Sequence, residues 1–318
     1  AVVLPYTAKR VSPTDLAEIG ARLPALDPAL RFLPFDVTEP PGWLAEPPAL
    51  PCVTLCLNNA PAHALVERLP GPKWVPRPLG KIEQLRRLRE AGLRLPATAL
   101  FRGDLAPDRR RFGEMLIVKP TGPGTSRARG IEVIPTAEFA RHRARLAETH
   151  AEAIAAGMPP VVQRYVRTGR RPTHVRVLCA FGRPILTYRT TAPEPFRPGR
   201  DRGAGAGTSN ASDRRERRLE HDPRIAAFGA RAARAFPETP VMGIDVIREA
   251  PGGGLYVLEA NFGNIAPLSS PVCAGLRAEL GAEAMLAQFS AYDVIAEGIA
   301  ARAAEAARDG LSPRPSAP

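Results

Sequence analysis

Apolar positions along the chain follow two periods, and the changes between them mark out its parts. Val2–Leu4, Arg31–Phe35 and Val53–Leu57 read as strands, with helical spacing at Pro13–Arg22 and Ala62–Arg68 and proline-rich turns over Glu39–Pro51. Lys81–Ala91 sets Ile82, Leu85 and Leu88 on one helical face and stops at Gly92. Strands follow at Ala99–Phe101, Met115–Pro120 and Ile131–Ile134, then one long amphipathic helix over Ala137–Ala156 closed by Gly157, then a strand at Pro159–Val166. After a turn at Thr168–Pro172, His174–Phe181 and Pro184–Thr190 make a hairpin around Gly182 and Arg183. Pro223–Phe236 reads as a helix and Arg277–Ala307 as one or two closing helices. Between them Val241–Ile247 and Leu255–Ala260 flank Pro251-Gly252-Gly253-Gly254, which predicts a second antiparallel hairpin. Residues 192–218 carry Pro, Gly, Ser and seven arginines without periodicity and read as a mobile loop; residues 308–318 read as a disordered tail. The fold class this predicts is α/β, turning to α+β after the first unit, with boundaries giving 1–78, 79–166, 167–307 and the tail.

Composition narrows the picture. With 318 residues, 44% hydrophobic and 24% charged, the chain has the balance of a globular protein large enough for two or three cores. No apolar run approaches the roughly twenty residues needed to cross a bilayer, and AVVLPY is too short for a secretory leader, so the expectation is a soluble cytoplasmic protein with no membrane partner. Cys52, Cys56, Cys179 and Cys273 lack the paired spacing of zinc or disulfide frameworks. A net charge of +12 raises nucleic-acid binding as a function, but 40 Arg against 4 Lys spread along the whole chain, with no zinc-finger, aromatic or basic-heptad motif, argue against specific recognition. Lysines kept in so arginine-rich a chain (Lys9, Lys73, Lys81, Lys119) mark places where a slim ammonium is wanted.

The candidate chemistry centres on the second hairpin. Glu259 and Asn261, two apart on one strand, share a face, and the turn can bring Asp245 alongside. Hard oxygen ligands of this kind suit Mg²⁺ held jointly with nucleotide phosphates; a solvated hairpin with charge on its outer face is the plainer alternative. Lys119 ends a buried-type strand just before Thr121–Gly130, TGPGTSRARG, which can wrap phosphates with backbone N–H groups or can be an ordinary glycine-rich hairpin loop. Arg176 alternates with apolar neighbours, so it faces either solvent or a cleft that binds anions. The basic 192–218 stretch suits an acidic substrate or a triphosphate, or is simply solvated. Asn58 and Asn59 follow the third strand at its carboxyl end, where they serve as ligand contacts or as a helix N-cap.

The order of these parts resembles the ATP-grasp superfamily, and within it carboxylate–amine ligases such as glutathione synthetase, D-alanine ligase and the ligases that add glutamate to ribosomal protein tails. The resemblance covers roughly residues 80–265, with GIDVI…VLEAN its most specific segment. It implies an N-terminal open α/β domain and two α+β subdomains clasping ATP, the central one carrying a lid and the last one a metal site. It also implies phosphate contacts from Lys81 and Lys119, and a lid over Thr121–Gly130 that includes Gly122, Gly124, Thr125 and Ser126. Gln163, Arg164, Tyr165 and Val166 would line the adenine, with Gln163 and Val166 the leading contacts. Asp245, Glu259 and Asn261 would hold two Mg²⁺ ions, with Mn²⁺ as a substitute, and Arg176, Arg189 and Asn210 would face the γ-phosphate and acyl group. The implied function is ADP-forming ligation of a small-molecule or peptide carboxylate to an amine through an acylphosphate, and the basic 192–218 stretch adds the expectation of an acidic substrate. A kinase or an ATP-binding scaffold on the same fold, a nucleic-acid-binding protein, and a homo-oligomer stay open as alternatives. Departures fall on the substrate side: His174 stands where these ligases usually have Asp, Asn210 is followed by ASDRR, and Asn261 by FGNIAPLSSP.

Overall fold

The computed structural model describes residues 1–44, 51–58, 63–69, 71–121, 130–197, 201, 207–210, 212–263, 265 and 267–308. Its strands form three sheets, each drawn from one stretch of chain. The first holds β1 (Val2–Tyr6), β2 (Phe32–Asp36), β3 (Val53–Leu55) and the short β4 (Lys73–Trp74), all parallel in the order β2-β1-β3-β4. The connecting helices are α1 (Pro13–Leu26) and α2 (His63–Arg68). Ser12 starts α1 by accepting a hydrogen bond from Thr14 N, the usual way of satisfying a first-turn amide.

The second sheet is antiparallel, order β5-β8-β6-β7, from β5 (Thr98–Leu100), β6 (Met115–Lys119), β7 (Glu132–Pro135) and β8 (Val161–Arg164). α3 (Lys81–Glu90) precedes it in the chain but buries Leu88 in the core of the third sheet, while α4 (Arg109–Phe112), α5 (Phe139–Thr149) and α6 (Ala151–Ala155) accompany it. Phe101 and Phe139 meet edge to face at 5.8 Å over Leu116, Val118 and Val162. Two expectations change here. The long helix is two helices, because His150 leaves the helical region at φ −112°, ψ 13°. On α3 the buried face is Gln84, Leu85 and Leu88, while Ile82 is 39% exposed.

The third sheet runs β11-β10-β9-β12-β13 and is antiparallel throughout: β9 (Thr173–Ala180), β10 (Arg183–Thr191), β11 (Glu216–Leu219), β12 (Val241–Arg248) and β13 (Leu255–Phe262). Residues 192–218 are therefore not wholly loop: Glu216–Leu219 adds an edge strand, its Arg218 opposite Arg189. α7 (Pro223–Ala233) buries Ile225 and Ala230 against Val177 and Ile244. Three closing helices follow, α8 (Ala274–Leu280), α9 (Ala282–Ala287) and α10 (Ala291–Arg308). We propose the units 1–78, 79–166 and 167–307 on the basis of the three sheets. α10 crosses that division, since Val294, Ile295 and Ile299 share one core with Val2, Leu4, Leu16 and Ile19 of the first unit and with Leu178 and Ile185 of the last. It reaches Arg308, and the remainder of the expected tail lies outside the described residues. Among the described residues no helix is long and apolar enough to cross a membrane.

Candidate functional site

The second and third sheets face each other across a cleft of about 1020 Å³. Its floor is the β12–β13 hairpin. Antiparallel register sets Asp245 opposite Glu259 and Gly243 opposite Asn261, and a bulge just beyond Asp245 leaves Leu258 as the extra residue. Asn261 Nδ2 lies 3.5 Å from Asp245 Oδ2. On the other side of β12, β9 sets Arg176 opposite Asp245, and the guanidinium grips the carboxylate with both arms, Nε to Oδ1 and Nη2 to Oδ2, each at 2.7 Å. Gly243 makes room: a Cβ there would stand 3.2 Å from Arg176 Cδ.

These contacts divide the charge unevenly. Burial works to protonate Asp245, which is 3% exposed, but Arg176 and then His174 outweigh it and hold its carboxyl below the ordinary range. Glu259 is pushed up, first by burial and then by Asp245 across the ladder, with Lys81 and Lys119 pulling back. One acid of the pair is matched by a cation and the other lacks a full counter-charge.

The lysines stand over Glu259. Lys119, at the end of β6, donates to Gln163 Oε1 at 2.8 Å, and Gln163 Nε2 donates to Thr98 Oγ1 at 3.0 Å. Burial lowers Lys119 to about 8, Glu259 opposing and Lys81 assisting that shift. Lys81, the first residue of α3, donates to Pro120 O at 3.1 Å. Next to them Ile117, Ile131, Val166, Ile247 and Leu258 give the cleft an apolar end. At the other end lie His174, Arg176, Tyr188, Thr190, Ser209, Asn210, Arg215 and Arg217. Arg217 Nη1 is 2.5 Å from Glu279 Oε2, and His174 Nδ1 is 2.6 Å from Ser209 Oγ. Burial carries His174 down to about 4, which Asp245 opposes and Arg176, Arg215 and Arg217 reinforce, so the ring is neutral.

No family model and no curated protein matches the chain. Solved structures do. D-cycloserine synthetase DcsG superposes with a TM-score of 0.57 at 15% identity, covering 95% of this chain and 99% of that one. The ATP-grasp ligase PsnB, solved with a phosphomimetic variant of minimal precursor, Mg and ADP, gives 0.52 at 14% identity over 95% and 98%. D-alanine–D-alanine ligase from Bacillus anthracis gives 0.51 at 12% identity over 97% and 99%. The chain has the ATP-grasp fold.

Against that fold the expected residues sort as follows. Lys81, Lys119, Asp245, Glu259, Asn261, Arg176 and Asn210 all border the one cleft. Arg189 does not. Its neighbours Tyr188 and Thr190 face the cleft, so the pleat of β10 turns Arg189 to the opposite face, where it pairs with Glu220. The segment expected to line an adenine makes other contacts. Gln163, 1% exposed, spends its amide on Lys119 and Thr98; Arg164 pairs with Glu249 and donates to Tyr256 Oη at 3.2 Å; Tyr165 donates to Gly207 O at 2.8 Å. Val166 packs on Ile247 and Tyr256 in the apolar end. Thr121 donates to Met158 O at 2.7 Å and Gly130 takes φ 69°; Gly122, Gly124, Thr125, Ser126 and Asn59 lie outside the described residues. Asn58 is 4% exposed after β3 and is not among the cleft residues.

Sequence reasoning missed three cleft residues. Gln84 on α3 accepts from Ala260 N at 3.1 Å, tying the helix that carries Lys81 to the strand that carries Glu259. Arg215 and Arg217 stood within a stretch read as loop. Among the described residues no group of three or more His, Cys, Asp or Glu is placed to hold an ion. The donor set is two carboxylates and an amide oxygen, whose hard oxygens and under-compensated Glu259 fit Mg²⁺.

Proposed function

We propose that the protein is an ATP-dependent carboxylate–amine ligase that forms ADP and works through an acylphosphate, on an acidic carboxylate. The observation that carries this reading is the meeting of Asp245, Glu259 and Asn261 with two lysines at one end of a cleft whose other end is lined with arginines. The apolar end made by Ile117, Val166 and Leu258 suits a purine ring, and Lys81 and Lys119 are placed to hold phosphates. Asp245, Glu259 and Asn261 would hold two Mg²⁺ ions, Mn²⁺ serving as a substitute, and the ions would supply charge neutralisation for the phosphates.

In the reaction a substrate carboxylate oxygen bonds to the γ-phosphorus while the β–γ bridging bond breaks and ADP departs with the electron pair. The amine then bonds to the acyl carbon, phosphate leaves, and the amine proton passes to solvent or to that phosphate. Arg176, Arg215 and Arg217 supply donors where negative charge passes between the reacting groups. No protein nucleophile takes part, so the contribution of the chain is positioning and electrostatics. The acidic substrate class rests on the arginine-lined end, and a cytoplasmic, ATP-rich setting suits the reaction.

The test is ADP release over pooled carboxylates and amines with mass detection of the product, repeated with hydroxylamine. A hydroxamate is expected; phosphorylated product without hydroxamate would make the protein a kinase on this fold. Glu259→Gln is expected to lower turnover on the order of a hundredfold or more while cooperative unfolding is retained. Normal turnover in that variant would remove the metal assignment.

A further inference from the structure

The segment Gly207–Asn210 runs along the cleft between its two ends, and three elements hold it there. From the nucleotide side, the Tyr165 hydroxyl donates to Gly207 O at 2.8 Å, and the Tyr165 ring meets Phe196 at 5.5 Å with an interplanar angle of 63°. From β7, Val133 closes on Gly207: φ there is +81°, and a Cβ would stand 3.0 Å from Phe196 Cε1 and 3.1 Å from Val133 Cγ2. From the acceptor side, His174 and Ser209, 6% and 7% exposed, join at 2.6 Å. Both anchoring side chains are thus committed. The Tyr165 ring packs against Phe196, and a neutral His174 ring can take whichever hydrogen-bond role the Ser209 hydroxyl leaves open.

We propose that Tyr165 and His174 are positioning residues that pin Gly207–Asn210 from opposite ends of the cleft, so that Asn210 is held at the acceptor end in fixed register with the nucleotide. The role of Asn210 rests on the ligase reading; the pinning itself does not. Tyr165 belongs to the segment that borders the nucleotide end, whereas His174 projects from β9 two residues before Arg176, so one short segment is tied to both halves of the reaction. Loss of either tie frees the segment without removing a phosphate contact.

The experiment uses Tyr165→Phe, which deletes only the hydroxyl, His174→Ala, and His174→Asn, whose amide can reproduce the bond to Ser209. Three quantities are read: calorimetric affinity for AMPPNP with Mg²⁺, amide hydrogen exchange of the peptide spanning 207–210, and kcat and KM for ADP release. Tyr165→Phe and His174→Ala are expected to speed exchange roughly three- to tenfold, the loss of one hydrogen bond, to keep AMPPNP affinity within about twofold, and to lower kcat with KM for ATP unchanged. His174→Asn restores slow exchange. Unchanged exchange in Tyr165→Phe and His174→Ala overturns the proposal, as does a loss of AMPPNP affinity that matches the loss of kcat, which would make Tyr165 a nucleotide contact. Wild-type protein that binds AMPPNP yet releases no ADP with any carboxylate would end the ligase reading, and exchange and affinity would still decide the pinning.

Discussion

At the nucleotide end of the cleft the positive charge sits on Lys81 and Lys119, each hydrogen-bonded to a neutral oxygen, Pro120 O and Gln163 Oε1. At the acceptor end it sits on arginines, and the foremost, Arg176, already has both arms on a buried carboxylate. An ammonium held by a neutral acceptor keeps its charge for an incoming anion. A guanidinium matched to Asp245 does not, until something else takes up the charge of Asp245. On the proposed function, cation binding at the hairpin and the freeing of Arg176 would be parts of one event. The difference also explains why lysine survives at two cleft positions in a chain with 40 Arg: a planar, bidentate fork in place of Lys119 would find a carboxylate partner in Glu259 and lose its charge to it.

The largest effect follows from removing that guanidinium. Arg176→Leu leaves Asp245 buried beside Glu259 with no matched cation and is expected to cost about 3–5 kcal/mol, read as a lowered denaturant midpoint. Millimolar Mg²⁺ or Mn²⁺ should then restore more stability to the variant than it adds to the wild type, because the ion takes the place Arg176 held. Equal stabilisation of both proteins would mean that ion and arginine do not compete for Asp245.

Lys119→Met comes next. Loss of a charged donor to phosphate should weaken ATP binding roughly 10- to 100-fold, measured by calorimetry. The same variant reports on charge. Lys119 is lowered to about 8 from an ordinary 10.5, so between these pH values the unfolded chain keeps a proton that the folded chain has released. Unfolding free energy of the nucleotide-free protein therefore rises with pH across that window, and below about 8 the cost of burying the charged group is present in full. The rise should be absent from Lys119→Met. A rise of equal size in both proteins would show that some other group releases the proton.

What could be read from the chain alone follows the range of the interactions. The Asp245, Glu259 and Asn261 cluster was legible because a hairpin is local: two apolar runs, a glycine turn and a period of two place all three. That Arg176 would grip Asp245 was not, since it requires β9 and β12 to be neighbours, residues 69 apart in sequence. Gln84 carried no signal in the helical pattern, because its partner, Ala260 N, is 176 residues away. β11 gave no signal because ERRL lacks apolar alternation and is a strand only through the edge of β10. The resemblance put Arg189 toward the γ-phosphate, and nothing local corrects that, since β10 is apolar on both sides and shifts register between Pro184 and Leu186.

That last assignment gives the smallest effect and a direct check on which arginines belong to the acceptor end. Arg189 is 47% exposed on its side chain and pairs with Glu220, itself 10% exposed, on the face of β10 turned away from the cleft, a half-buried pair at the upper end of the roughly 0–1 kcal/mol that exposed pairs contribute. Arg217 comes from the neighbouring strand into the cleft, with a side chain 19% exposed and held by Glu279. Arg189→Ala is thus expected to leave ADP release and its KM values unchanged and to shift the unfolding midpoint only slightly. Arg217→Ala, measured beside it, should raise KM for the carboxylate with little change in KM for ATP. A loss of turnover at Arg189 with none at Arg217 would reverse the two faces of β10 and place the acceptor on the other side of the sheet.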